Sequence, residues 1–99
     1  MQKETFLMNV GMVLNSKSGG DFIIGYNGEL PREDFFKIGI KLNGLCKIKT
    51  SKGYLDFHIK DIRLPSTMSG HYNIMIKFTD NKNFKYIKEG DPLYYVNTD

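Results

Sequence analysis

The sequence predicts an all-β domain, a small antiparallel barrel of six to eight strands. Three observations predict it. Apolar and polar residues alternate over long stretches, as in Phe6-Met8-Val10-Met12-Leu14, Leu55-Phe57-Ile59 and Tyr72-Ile74-Ile76-Phe78. A period of two sends successive side chains to opposite faces of a sheet, so one face is buried. Turn dipeptides such as Asn27-Gly28 and Asn43-Gly44 separate these stretches at short intervals. Finally, 13 Phe and Tyr among 99 residues are enough to fill one small core. The length admits a single domain over residues 1–99.

The first strand is expected over residues 5–14, with its even positions inward. It ends at the polar, Gly-rich run Asn15-Ser16-Lys17-Ser18-Gly19-Gly20-Asp21. The second spans 22–26, with Phe22, Ile24 and Tyr26 facing inward beside Val10 and Met12, and stops at Asn27-Gly28. Glu29-Leu30-Pro31-Arg32-Glu33-Asp34 reads as a loop or single helical turn. It leads to a strand over 36–42, which closes at Asn43-Gly44.

Residues 45–64 read as a hairpin. A two-residue turn at Lys52-Gly53 sets Ile48 opposite Phe57 and Cys46 opposite Ile59, with Lys49 facing Asp56 and Lys47 facing His58 on the outer face. The alternation then shifts to Ile62 and Leu64, which places a bulge near Lys60-Asp61. Residues 65–70 form a loop. A last hairpin joins 71–79 to 84–87, and a final stretch runs from Lys88 to Val96, with Tyr94-Tyr95-Val96 either covering an edge strand or pairing with a second copy. No helix of two turns, linker or internal repeat is expected.

The order of these pieces resembles the β-barrel domain 2 of translational GTPases, the elongation factor Tu group, as a stand-alone domain. The stretches that carry the resemblance are Asp21-Phe22-Ile23-Ile24-Gly25-Tyr26, Phe36-Lys37-Ile38-Gly39-Ile40-Lys41-Leu42, Ile59-Lys60-Asp61-Ile62 and Ile87-Lys88-Glu89-Gly90-Asp91-Pro92-Leu93. Two departures stand out. Residues 15–21 are poorer in Gly and Arg than the family's corresponding turn, and Ile40 stands where that family often has Asp. The resemblance implies a fold and a translation-related setting, not an activity.

Several functions are excluded. No G-x-x-x-x-G-K-[ST] loop is present, so the chain is not itself a GTPase. Cys46 is the single cysteine, which rules out a disulfide framework and a cysteine-based zinc site. Cys46 and His58 fall on opposite faces of the hairpin and form no nucleophile–base pair. His58 and His71 lack matched spacing for a metal, and Glu29, Glu33 and Asp34 lack apolar neighbours that would tune a general acid. We therefore expect no catalytic residues, no cofactor and no metal.

Glu4, Asn9 and Gly11 interrupt the only stretch that resembles a leader, and nothing nears the roughly 20 apolar residues of a membrane helix. The expectation is a cytoplasmic protein with no membrane contact. Binding remains. The net charge is +3, and 12 of the 14 basic residues are Lys, without any dense basic cluster. Lys47, Lys49, Tyr54 and Lys60 on the outer face of the central hairpin are the candidate partner-binding residues. Lysine for phosphates and an aromatic ring for stacking suit RNA, while a protein partner is also compatible. The alternative is a small immunity- or inhibitor-type protein that blocks one protein target, anchored by Tyr54, Tyr94, Tyr95 and the 29–34 loop.

Overall fold

The computed structural model describes residues 2–16, 20–35, 37, 44–66, 71–79 and 82–98. They form six strands: β1 (Gln2–Ser16), β2 (Gly20–Tyr26), β3 (Leu45–Thr50), β4 (Gly53–Arg63), β5 (Ile74–Phe78) and β6 (Pro92–Thr98). One short helix, α1 (Arg32–Phe35), and a 3-10 turn at Phe84–Tyr86 complete the regular structure. The strands close into a barrel in the order β1-β2-β5-β4-β3-β6, every pair antiparallel. Closure leaves none of the six with an open edge. No helix among the described residues is long and apolar enough to cross a membrane. The predicted strand over 36–42, apart from Lys37, and part of the 65–70 loop lie outside the described residues.

The core is the set of inward side chains stacked in cross-strand layers. Val13, Ile23, Ile76 and Ile62 lie side by side across β1, β2, β5 and β4, and Tyr95, Cys46 and Phe57 across β6, β3 and β4. Ile23, Ile76 and Cys46 are fully buried. Phe57 and Phe78 pack with ring centroids 4.9 Å apart. Phe35 from α1, Phe84 from the 3-10 turn and Ile87 just after it are also buried and extend this core beyond the strands. Gly25 makes room for a neighbour. A Cβ there would stand 2.4 Å from the Met8 sulfur and 2.6 Å from the Asn9 carbonyl, so Met8 fills the space a side chain would take.

Strict alternation fails in β1, and the reason is local. The pairing slips between Phe6 and Met8 on the β6 side and between Val10 and Met12 on the β2 side. Each bulge inserts one residue and reverses the face of what lies beyond it. Leu7, Met8 and Val10 are therefore buried, while Phe6 and Met12 point outward. Strand β2 follows. Ile23 is its core residue, Phe22 and Ile24 are only half-buried, and Tyr26 is exposed, the reverse of the expected facing.

The β3–β4 hairpin keeps the expected faces but not the expected partners. The turn is Ser51-Lys52, so Cys46 faces Phe57, Ile48 faces Leu55, Lys47 faces Asp56 and Lys49 faces Tyr54. Thr50 fixes it: its hydroxyl accepts the Lys52 N–H at 3.1 Å and donates to the Gly53 carbonyl at 3.0 Å. Gly53 follows at φ +94°, a conformation glycine adopts without strain. The bulge expected near Lys60-Asp61 is present, between Ile59 and Asp61. The last predicted hairpin is not. Strand β5 pairs with β2 and β4, and 84–86 coils because Phe84 and Ile87, three residues apart, both turn into the core.

Candidate functional site

Closure assembles on the outer wall what the sequence scatters. Across β1, β6, β3 and β4, Phe6 pairs with Tyr94, Tyr94 with Lys47, and Lys47 with Asp56. One row along, Lys49 pairs with Tyr54. The rings touch in sequence, with Phe6 5.8 Å from Tyr94 edge to face and Tyr94 6.2 Å from Tyr54. Phe6 is 46% exposed and Tyr54 56%. Rings of this size are usually buried, so three in contact on a barrel exterior form a distinct surface.

Lysines edge this surface. The Lys49 ammonium sits 5.9 Å from the Tyr54 ring centre, within cation–π range. Beyond the hairpin turn, Lys52 and Lys85 lie 5.9 and 5.3 Å from the Tyr86 ring. Lys47 differs, because its ammonium is 3.1 Å from the Glu4 carboxylate. That hydrogen bond, more than any other influence, holds its pKa above the ordinary lysine value.

Of the four predicted residues, Lys47, Lys49 and Tyr54 come together. Lys60 does not: it is exposed at the β4 bulge, six residues from Tyr54, roughly 20 Å along the strand. The even position of Phe6 predicts it in the core, and only the bulge at Leu7 brings it outside. Tyr95, a sequence candidate for anchoring, is 4% exposed and belongs to the core beside Cys46. Lys77 lies over the Phe22 ring on β2, 5.8 Å away, apart from this face.

A second feature adjoins the first. Tyr26, paired with Asn9 across β1, is 49% exposed, and its hydroxyl is 3.4 Å from His71 Nδ1. Both residues line a cavity of about 230 Å³ with Leu30, Pro31, Arg32 and Glu33. Asn27 and Tyr72 build its wall. The Asn27 amide donates to the Leu7 carbonyl at 2.7 Å and its oxygen accepts the Glu29 N–H at 3.0 Å. The Tyr72 hydroxyl donates to the Leu30 carbonyl at 2.6 Å. Burial first, then the neighbouring Tyr26 and Glu33, push the Tyr72 pKa up, so this donor stays protonated.

Cys46 and His58 do lie on opposite faces, Cys46 fully buried and His58 exposed. Burial pushes the Cys46 thiol pKa far up, with the Asp56 charge adding to it, so no thiolate is available for nucleophilic chemistry. Among the described residues, no three His, Cys, Asp or Glu side chains converge to hold a metal ion. Asp34 is engaged by Lys37 at 3.1 Å. No protein-family model matches the chain, and neither the curated proteins nor the solved structures contain a match.

Proposed function

We propose that the protein is a non-enzymatic binding barrel that holds single-stranded RNA against its outer wall. The observation that carries this reading is the contact chain Phe6–Tyr94–Tyr54, with Lys49 over its last ring. Bases stack on exposed rings whatever their sequence, and each such stack contributes about 1–3 kcal/mol. Lys49, Lys52 and Lys85 have no ion-pair partner among the described residues, which suits them to phosphates. The net charge of +3 favours the same ligand. The resemblance to the barrels of translational GTPases, an expectation from sequence, points to an RNA of the translation apparatus.

The test is fluorescence anisotropy with a labelled 12-nucleotide oligouridylate across a salt series. With three lysines engaged, log K should fall against log [salt] with a slope of about −2. The double variant K49A/Y54A should bind at least roughly 10-fold more weakly. Absence of binding at low salt would end the RNA reading.

One observation favours a second reading, a partner-blocking protein of the immunity or inhibitor type. Glu4 neutralises Lys47, and Asp56 lies beside it, so one side of the aromatic strip has the mixed charges of a protein-docking rim. On that reading F6S and Y54S abolish binding to a single protein target, and oligouridylate does not compete.

A further inference from the structure

The cavity beside Tyr26 continues the aromatic strip. In the hydrogen-bonded pairing, Tyr26 on β2 is opposite Asn9 on β1, and Asn9 is opposite Pro92 on β6. Phe6 pairs with Tyr94, two residues from Pro92, so Tyr26 lies diagonally across β1 from Phe6. Strand spacing sets that diagonal at about 8 Å between Cα atoms. Rows of outward side chains climb a closed barrel because its strands tilt. The exposed rings thus run from Tyr54 through Tyr94 and Phe6 to Tyr26, the first wall of the cavity.

The chemistry inside is selective. The hydrogen-bonding groups of Asn27 and Tyr72 are committed to backbone, at Leu7, Glu29 and Leu30. Glu33 and Arg32, both exposed, face the cavity with no hydrogen bond or ion pair to another described residue. A carboxylate accepts two parallel N–H bonds when a ligand offers two adjacent donors. Guanine offers them, N1–H and the 2-amino group, on its Watson–Crick edge. Adenine and cytosine present one exocyclic amine there, and uracil one N–H. The Tyr26 ring, Leu30 and Pro31 give the cavity apolar surface suited to a planar base, and the guanidinium of Arg32 suits the attached phosphate. The volume of about 230 Å³ matches a ligand smaller than the usual drug-sized occupant.

We propose that this cavity takes a single guanine base of the bound strand, an assignment that rests on the strand-binding reading. Glu33 reads the base edge, Tyr26 stacks on its face and Arg32 holds its phosphate. The strand would then be non-specific along the ring path and guanine-selective at one end.

Two arms test this. A 12-nucleotide oligouridylate with one central guanine should bind roughly 10-fold tighter than all-uridine RNA, since a bidentate base contact discriminates by about 1–3 kcal/mol. The substitution E33Q should erase that gain, read as the ratio between the two oligonucleotides, while K49A/Y54A should weaken both equally and keep the ratio. Equal affinity for the two RNAs, or a gain that persists in E33Q, overturns the proposal. In the second arm, 1H–15N spectra are recorded with guanosine and adenosine 5′-monophosphates. Shifts confined to residues 26–33 and 71–72, stronger with guanosine and lost in E33Q and R32M, support the base assignment independently of the strand. If neither RNA binds but guanosine monophosphate does, the strand-binding reading fails and the site serves a free nucleotide. If the mononucleotides shift these residues equally or not at all, the guanine assignment fails by itself.

Discussion

Cys46 is a protonated group sealed in a layer of rings, between Tyr95 and Phe57 in the cross-strand pairing. In the unfolded chain its thiol ionises near an ordinary pKa of about 8.5; in the folded barrel burial keeps the proton on well above that. Below pH 8 both states carry the proton and stability is indifferent to it. Above about 8.5 the folded state binds a proton that the unfolded chain has released, so stability falls as pH rises, by at most about 1.4 kcal/mol per unit. Urea unfolding at pH 7.5, 8.5 and 9.5 should show this decline, and C46A should flatten it, although its cavity lowers stability at every pH. Parallel pH profiles would show that the thiol is not the group responsible. At this scale the faces of Cys46 and His58 were legible, because alternation fixes facing wherever a strand is unbroken. The facing of Phe6, Met12 and Tyr26 was not. Leu7 carries no mark that distinguishes a bulge residue from an ordinary strand residue, whereas Gly11, a glycine inside a strand pattern, is itself a bulge signal; one insertion reverses everything after it.

The β3–β4 hairpin shows the same division at the scale of an element. Its expected and observed pairings differ by two residues, which preserves the faces and changes every partner. The alternation of Cys46, Ile48, Phe57 and Ile59 was therefore sufficient for the core and silent on register. The register signal lay in Thr50. A Thr hydroxyl that captures the N–H two residues on, followed by a glycine in the left-handed region, describes a turn centred on Ser51-Lys52. Gly53 makes a test without steric complication, since no atom lies within 4 Å of where its Cβ would be. The substitution G53A should cost about 1–2 kcal/mol through backbone conformation alone. Chemical denaturation measures it, and a cost under about 0.3 kcal/mol would contradict the turn. Register also decides the candidate site, because it moves Tyr54 from a position opposite Ser51 to one directly opposite Lys49.

Across the whole molecule, an all-β barrel could be read from periodicity, but the order in which it closes could not. Strand order β1-β2-β5-β4-β3-β6 depends on long-range pairings, such as β1 with β6, that no local pattern encodes. Lys47, Lys49 and Tyr54 were found because one hairpin carries them. Phe6 and Tyr94 join them only when the barrel closes, being separated by most of the chain. This geometry separates inner rings from outer ones, and that separation can be measured. Phe57 is enclosed by Cys46 and Phe78, so F57A should cost about 3–5 kcal/mol by leaving a cavity. Phe6 and Tyr54 stand about half in solvent, so F6S and Y54S should each stay within about 1 kcal/mol of the parent. Oligouridylate binding should show the opposite order. F6S and Y54S should weaken it while the barrel remains folded, and F57A, assayed below its lowered unfolding midpoint, should bind as the parent does. Thermal unfolding read beside anisotropy on the same samples decides it. If F6S and Y54S lost stability and affinity together, the outer rings would be part of the scaffold. An unchanged affinity in both would leave the exposed rings without a ligand. Loss of affinity alone is what a surface built for a partner requires, since rings that do not hold the barrel together have no structural reason to stand in water.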